Sequence, residues 1–171
     1  MGNPIQGNTA GNRRNSTASL AMGGMLAALV FIATAFLQIP MNSGYIHLGD
    51  GIILLGAALL GYVAAPAAAV GSLLADLQLN YTTYALPSFM IKGVVAAIAV
   101  VAARRSKCML RFILLILAEA LMVTGYFGVE WLILGYGFAG AWANVPGNMV
   151  QGVSGVVLFF LLSPAIKRVR V

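Results

Sequence analysis

The chain has 171 residues, 61% of them hydrophobic and 8% charged, with a formal net charge of +6 and a mean hydropathy of +0.94. Soluble domains carry roughly a quarter charged residues, so this composition excludes a soluble globular protein and points to the bilayer as solvent. A nucleic-acid partner is excluded too, because no folded soluble surface exists to display the basic residues.

Residues 1–18 are polar and rich in glycine and asparagine, the composition of a disordered cytoplasmic tail. From residue 19 to 164 the chain reads as an all-α domain of six transmembrane helices, followed by a basic cytoplasmic tail over 165–171. Long intervals without Asp, Glu, Lys or Arg run from Asn15 to Gly49, Gly51 to Ala75 and Trp131 to Ile166, and a helical span needs about 20 apolar residues. Helix one is expected over Ser19–Ile39, stopped by Pro40, and helix two over Gly49–Gly61. Helix three starts near Pro66, where proline suits a first turn, and ends near Leu79. Helix four is expected over Pro87–Ala103, helix five over Met109–Leu134, and helix six over Gly147–Ser163, ended by Pro164. A β-barrel is a poor alternative, since no alternation of apolar and polar residues over about ten positions occurs.

Arg13 and Arg14 precede helix one, Arg104, Arg105, Lys107 and Arg111 join helices four and five, and Lys167, Arg168 and Arg170 follow helix six. These nine of the ten basic residues fall on one side of a six-helix arrangement. The positive-inside rule makes that side, and both termini, cytoplasmic.

The remaining charges are Asp50, Asp76, Lys92, Glu119 and Glu130, all within or at the ends of apolar segments. Charges in hydrocarbon cost several kcal/mol unless paired or hydrated, so these side chains should face one another or a polar cavity. Asp76 with Lys92 is the expected structural ion pair, between helices three and four. Asp50 either caps helix two or touches a ligand, and His47 either is solvated at the interface or joins the site. Glu119 lies deeper in helix five and is expected to be protonated and hydrogen-bonded there. Polar and aromatic residues gather toward the outer half: Tyr45, Asn80, Tyr81 and Tyr84 in the loops before helices two and four, then Trp142, Asn144, Asn148 and Gln151 before and in helix six. Tyr45, Tyr84 and Trp142 suit a planar ring, while Asn148 and Gln151, about one turn apart, suit its donors and acceptors. Lys92 would attract a phosphate or carboxylate unless Asp76 neutralises it.

Catalysis finds little support. One His and one Cys cannot assemble a His/Cys zinc site, no G-x-S-x-G turn presents a nucleophile, and no phosphate loop is present for ATP hydrolysis. No cofactor is expected. Helix one carries a small-residue face, Gly23 with Ala27 and Gly24 with Ala28, which suits close helix packing inside the bundle or against a partner.

The motifs AMGGMLAAL, GYIHLGD, GSLLADL, TTYALPSFMIKG and NVPGNMVQG follow one another between Ala21 and Gly155. In order and spacing they resemble the substrate-binding S component of energy-coupling factor (ECF) vitamin transporters, in the riboflavin, hydroxymethylpyrimidine or pyridoxine-like branch. The resemblance implies a prokaryotic cell-membrane protein that takes a vitamin or precursor from outside. It further implies docking on a transmembrane coupling subunit with two ATPase subunits, and toppling in the bilayer to release the solute inside. It places Asp50 and Asp76 in recurring motifs and sets Lys92, Asn148 and Gln151 around the pocket. The family's Ala-xxx-Ala docking motif falls on Gly23/Ala27 or Gly24/Ala28, with glycine replacing the first alanine. A pyridoxine- or pyrimidine-like solute is favoured, with riboflavin and cobalamin open. The alternatives are a stand-alone proton- or ion-coupled carrier and a non-transporting membrane scaffold.

Overall fold

Glycine and alanine decide how the helices approach one another. The computed structural model describes residues 7–40 and 45–169. Its elements are α1 (Gly7–Phe36), a short hairpin of β1 (Gln38–Pro40) and β2 (Tyr45–His47), α2 (Gly49–Leu60), α3 (Ala64–Gln78), α4 (Thr82–Ala103), α5 (Cys108–Gly128) and α6 (Gly137–Val169). The strands pair antiparallel, Gln38 with His47 and Pro40 with Tyr45. Among the described residues, this hairpin is the one departure from an all-helical chain.

Gly23 lies against Val63, Gly56 against Leu26, and Gly71 so close to α1 that an added Cβ would stand 2.5 Å from the Ala27 carbonyl oxygen. α1 therefore runs antiparallel to α2 and parallel to α3. The chain folds back between them through a 3-10 turn at Gly61–Val63, where Gly61 has φ 63°. Arg104 stacks over the Tyr62 ring at 4.5 Å, so the α2–α3 and α4–α5 turns share one end of the bundle. Gly51 and Gly155 bring α6 onto α2, with Leu158 against the first and Asp50 against the second. The core is aliphatic and small: Val30, Ile53, Leu54, Ala68, Val95, Ala96, Leu115 and Met122 are buried at its centre.

Among the described residues, five stretches are long and apolar enough to cross a membrane: Ser16–Phe36, Gly49–Gln78, Thr82–Ala103, Cys108–Ile133 and Gly137–Ala165. The second contains both α2 and α3, of 12 and 15 residues, lengths of about 18 and 22 Å against a hydrocarbon core of about 30 Å. Leu20, Met25, Leu29, Phe36, Leu132, Ile133 and Leu161 are exposed on the outside of the bundle, a surface that only lipid or a partner makes favourable.

Several expected boundaries move. Pro87, Pro146 and Pro164 lie inside α4 and α6, because membrane-spanning helices tolerate prolines whose freed carbonyls find other partners. α1 begins at Gly7, within the segment expected to be an irregular tail, and α6 continues to Val169 through the expected C-terminal tail. Residues 1–6, Arg170 and the side chains of Arg13, Arg14, Lys167 and Arg168 lie outside the described residues. α5 does not continue as one regular helix to Leu134 but passes into a π-helical turn, Val129–Ile133.

Candidate functional site

A cavity with polar groups in its wall opens at the end of the bundle that carries the β-hairpin, lined by residues from Thr34 of α1 to Gln151 of α6.

Beneath the cavity is a buried ion pair. Lys92 Nζ donates to Asp50 Oδ1 at 2.6 Å and to Oδ2 at 2.9 Å, and Gln151 Nε2 donates to the same Oδ2 at 2.6 Å. Lys92 and Asp50 are both fully buried. The expected Asp76–Lys92 pair is therefore incorrect. Asp50 is inserted between α4 and α6 at the first turn of α2, within reach of Lys92, whereas Asp76 is engaged by the phenol of Tyr45 (2.5 Å). Asp50 is also no helix cap: the residue before α2 is Leu48, and no side chain caps that end.

His47 is buried rather than solvated. Its backbone N–H donates to Gln151 Oε1 at 3.0 Å, and its Nδ1 accepts the Gly49 N–H at 3.0 Å. The Thr34 hydroxyl lies 3.4 Å from the same nitrogen. An Nδ1 that accepts must be unprotonated, which leaves the proton of the neutral ring on Nε2. Burial, and then the nearby Lys92 cation, push its pKa down to about 3, with Asp50 opposing. Between pH 6.5 and 3 the unfolded chain binds a proton that the native histidine refuses, so stability falls as pH falls. Acidification from neutrality to pH 5 should remove about 2 kcal/mol through His47. Thermal unfolding in detergent should show a steeper acid loss for the natural protein than for His47→Asn, and parallel curves would contradict a buried neutral ring.

The walls are tyrosines and carboxyl groups. Tyr45, Tyr81, Tyr84 and Tyr126 follow one another with ring centroids 5.1, 6.1 and 6.4 Å apart. Tyr84 Oη donates to Glu130 Oε1 at 3.1 Å, and Asn144 Nδ2 to Oε2 at 3.0 Å. The π-helical turn explains how Glu130 reaches that position. It shifts the register so that Glu130 is buried while Trp131, Leu132 and Ile133 face outward, a re-aiming typical of such turns. Ser88 and Tyr126 share a hydroxyl–hydroxyl bond of 2.8 Å.

Of the expected site residues, Tyr45, His47, Tyr84, Asn144, Asn148 and Gln151 line this cavity, and Asp50 and Lys92 lie below it. Asn80 and Trp142 do not join it. Asn80 is exposed in the α3–α4 turn with φ 63°. Trp142 is exposed, stacked on Phe138 at 6.0 Å beside Phe127 and Trp131, an arrangement of an aromatic belt. Thr34, Ser72, Ser88 and Tyr126 line the cavity without having been expected. Tyr84, Ser88 and Lys92 at four-residue spacing form one polar stripe on α4, and that periodicity is the signal that could have revealed Ser88. Glu119, expected to be hydrogen-bonded, is buried with both carboxyl oxygens unpartnered among the described residues.

The sequence profile of the ECF-type riboflavin transporter S component family matches residues 14–168. The chain belongs to that family. It is also similar to an uncharacterized protein of the gap 3′ region of Pyrococcus woesei, 36% identical over 124 residues, covering 71% of this chain and 82% of that one. An S component is part of a transporter and not an enzyme, and the spans identified above make this one a multi-pass membrane protein.

Proposed function

We propose that this chain is the solute-capturing subunit of an ECF-type vitamin uptake system in a prokaryotic cell membrane. It crosses the membrane six times, α2 and α3 counting as two short crossings, with both termini cytoplasmic and the cavity facing outside. The observation that carries this reading is the separation of chemistry along the bundle. The cavity lies at one end, and the turn bearing Arg104, Arg105 and Lys107 lies at the other, as the positive-inside rule requires of an outward-facing site. The captured solute is a planar vitamin or precursor stacked among the tyrosines, and inward delivery is driven by a coupling subunit with two ATPases. Mass spectrometry of small molecules released from the protein purified alone should find one such compound, and an empty protein that rebinds none would remove the reading.

For docking, α1 supports the Gly24/Ala28 register. An added Cβ at Gly24 meets nothing within 4 Å, whereas Gly23 lies against Val63. Gly24 and Ala28 are both exposed, so a partner helix would approach closely along them. Ala28→Trp should abolish association with the coupling subunit in pull-down while leaving solute binding intact. Loss of both would place the small-residue face inside the fold.

Unpartnered Glu119 favours a second reading, a proton-coupled carrier, since a buried carboxyl group without a partner is what a proton relay uses. Uptake into proteoliposomes that contain this chain alone, driven by a pH gradient, would support it over the ATP-driven reading.

A further inference from the structure

The cavity wall carries two carboxyl groups, Asp76 and Glu130, and no lysine or arginine. Lys92, the cation beneath it, is held by both oxygens of Asp50 and has no free charge to offer. Glu130 has both oxygens occupied, by Tyr84 and Asn144. Asp76 does not. Its Oδ1 takes the Tyr45 hydroxyl, and the Ser88 hydroxyl lies close to the carboxylate, while Oδ2 is buried with no partner in good hydrogen-bond geometry among the described residues. Ser72, one helical turn earlier on α3, presents an equally unpartnered buried Oγ to the same cavity. Asp76 is 4% and Ser72 2% exposed, so bulk water does not satisfy these atoms. Asp76 Oδ2 can only accept and Ser72 Oγ can accept or donate, so a donor on a ligand finds a partner in both.

The rings beside them add a second preference. The faces of Tyr45, Tyr81, Tyr84 and Tyr126 present negative quadrupole density, which attracts organic cations within about 6 Å and is worth most where water is excluded. An anion there would meet two carboxyl groups and the tyrosine faces, and the nearest cation, Lys92 at 5.4 Å from the Tyr126 ring centroid, is already held by Asp50.

Resting on the proposed solute-capture role of this cavity, we infer that its substrate is an organic cation: a planar ring system bearing a positively charged nitrogen among the tyrosines, with an N–H donor bonded to Asp76 Oδ2 and Ser72 Oγ. Phosphorylated and carboxylated solutes are rejected.

The test is equilibrium dialysis of the full chain in detergent against an equimolar panel, with retained compounds read by mass spectrometry. The panel holds the cations thiamine and N-methylnicotinamide, the neutral compounds nicotinamide, pyridoxine and riboflavin, and the anions nicotinate, pyridoxal phosphate and flavin mononucleotide. Retention should be confined to the cations, with N-methylnicotinamide held at least about tenfold more tightly than nicotinamide of the same shape. Asp76→Asn and Ser72→Ala should each weaken the retained cation, the first by about tenfold or more. The matched charge series on the natural protein decides the matter even if Asp76→Asn fails to fold. Preference for a neutral or anionic member overturns the cation assignment and leaves solute capture standing. Retention of no compound, with none co-purifying, overturns solute capture and this inference with it.

Discussion

Lys92→Met is expected to be among the most damaging single substitutions in the chain, lowering stability by about 3–5 kcal/mol, the usual loss when one partner of a buried ion pair is removed. Asp50 would be left at full burial with Gln151 Nε2 as its remaining hydrogen-bond donor. Water cannot easily enter to compensate, because α6 closes over it: a Cβ on Gly155 would stand 3.1 Å from Asp50 Cβ. The double substitution Lys92→Met with Asp50→Leu should recover most of the loss, since apolar replacement of a whole buried pair is often neutral or stabilising. Recovery should be incomplete by about 1–3 kcal/mol, the penalty for a Gln151 amide with no acceptor. Unfolding of the three proteins in one detergent measures this directly. Equal damage in the single and double variants would show that the pair is not the source of the effect.

That prediction differs from the one the sequence suggests, and the difference has a physical cause. Asp76 and Lys92 lie on consecutive helices, and α3 and α4 do pack side by side, as the contact of Gly93 with Ala69 shows. Adjacency of helices does not say which face each charge occupies. Asp50 meets Lys92 from α2, 42 positions away, while α6 packs over it at Gly51 and Gly155, contacts that no local pattern reveals. The apolar stretches were legible, because uninterrupted apolar runs are local and the bilayer imposes their length, although five rather than six are long enough to cross, α2 and α3 falling within one. Prolines were poor boundary markers here, since Pro87, Pro146 and Pro164 all sit within helices. The tyrosine wall was partly legible: Tyr45 and Tyr84 were found by composition, Tyr126 was not, because one tyrosine in an apolar helix resembles filling. Trp142 misled for the converse reason, as belt and pocket aromatics look alike in sequence. What would have served better is periodicity, with Ser72 and Asp76 on α3, Tyr84, Ser88 and Lys92 on α4, and Asn144, Asn148 and Gln151 on α6 each forming a stripe at helical spacing.

Gln151→Leu should come next in effect, with a stability loss of about 2–4 kcal/mol, because two buried groups lose their partners together. Gln151 joins three elements: from α6 its Nε2 reaches Asp50 on α2 at 2.6 Å and its Oε1 receives the His47 N–H of β2 at 3.0 Å. Leucine fills the space but answers neither, leaving an orphaned backbone donor and an Asp50 held by Lys92 alone. Both the ion pair and the hairpin would then shift, and the cavity floor with them, so solute binding should weaken along with stability. Gln151→Glu should be worse than leucine, since a second carboxyl group would be placed at hydrogen-bond distance from Asp50. The same pair of measurements, unfolding and solute retention, separates this role from direct recognition. A Gln151→Leu protein as stable as the natural one but unable to bind would mean that the amide turns to the ligand, and that the hairpin is held by something else.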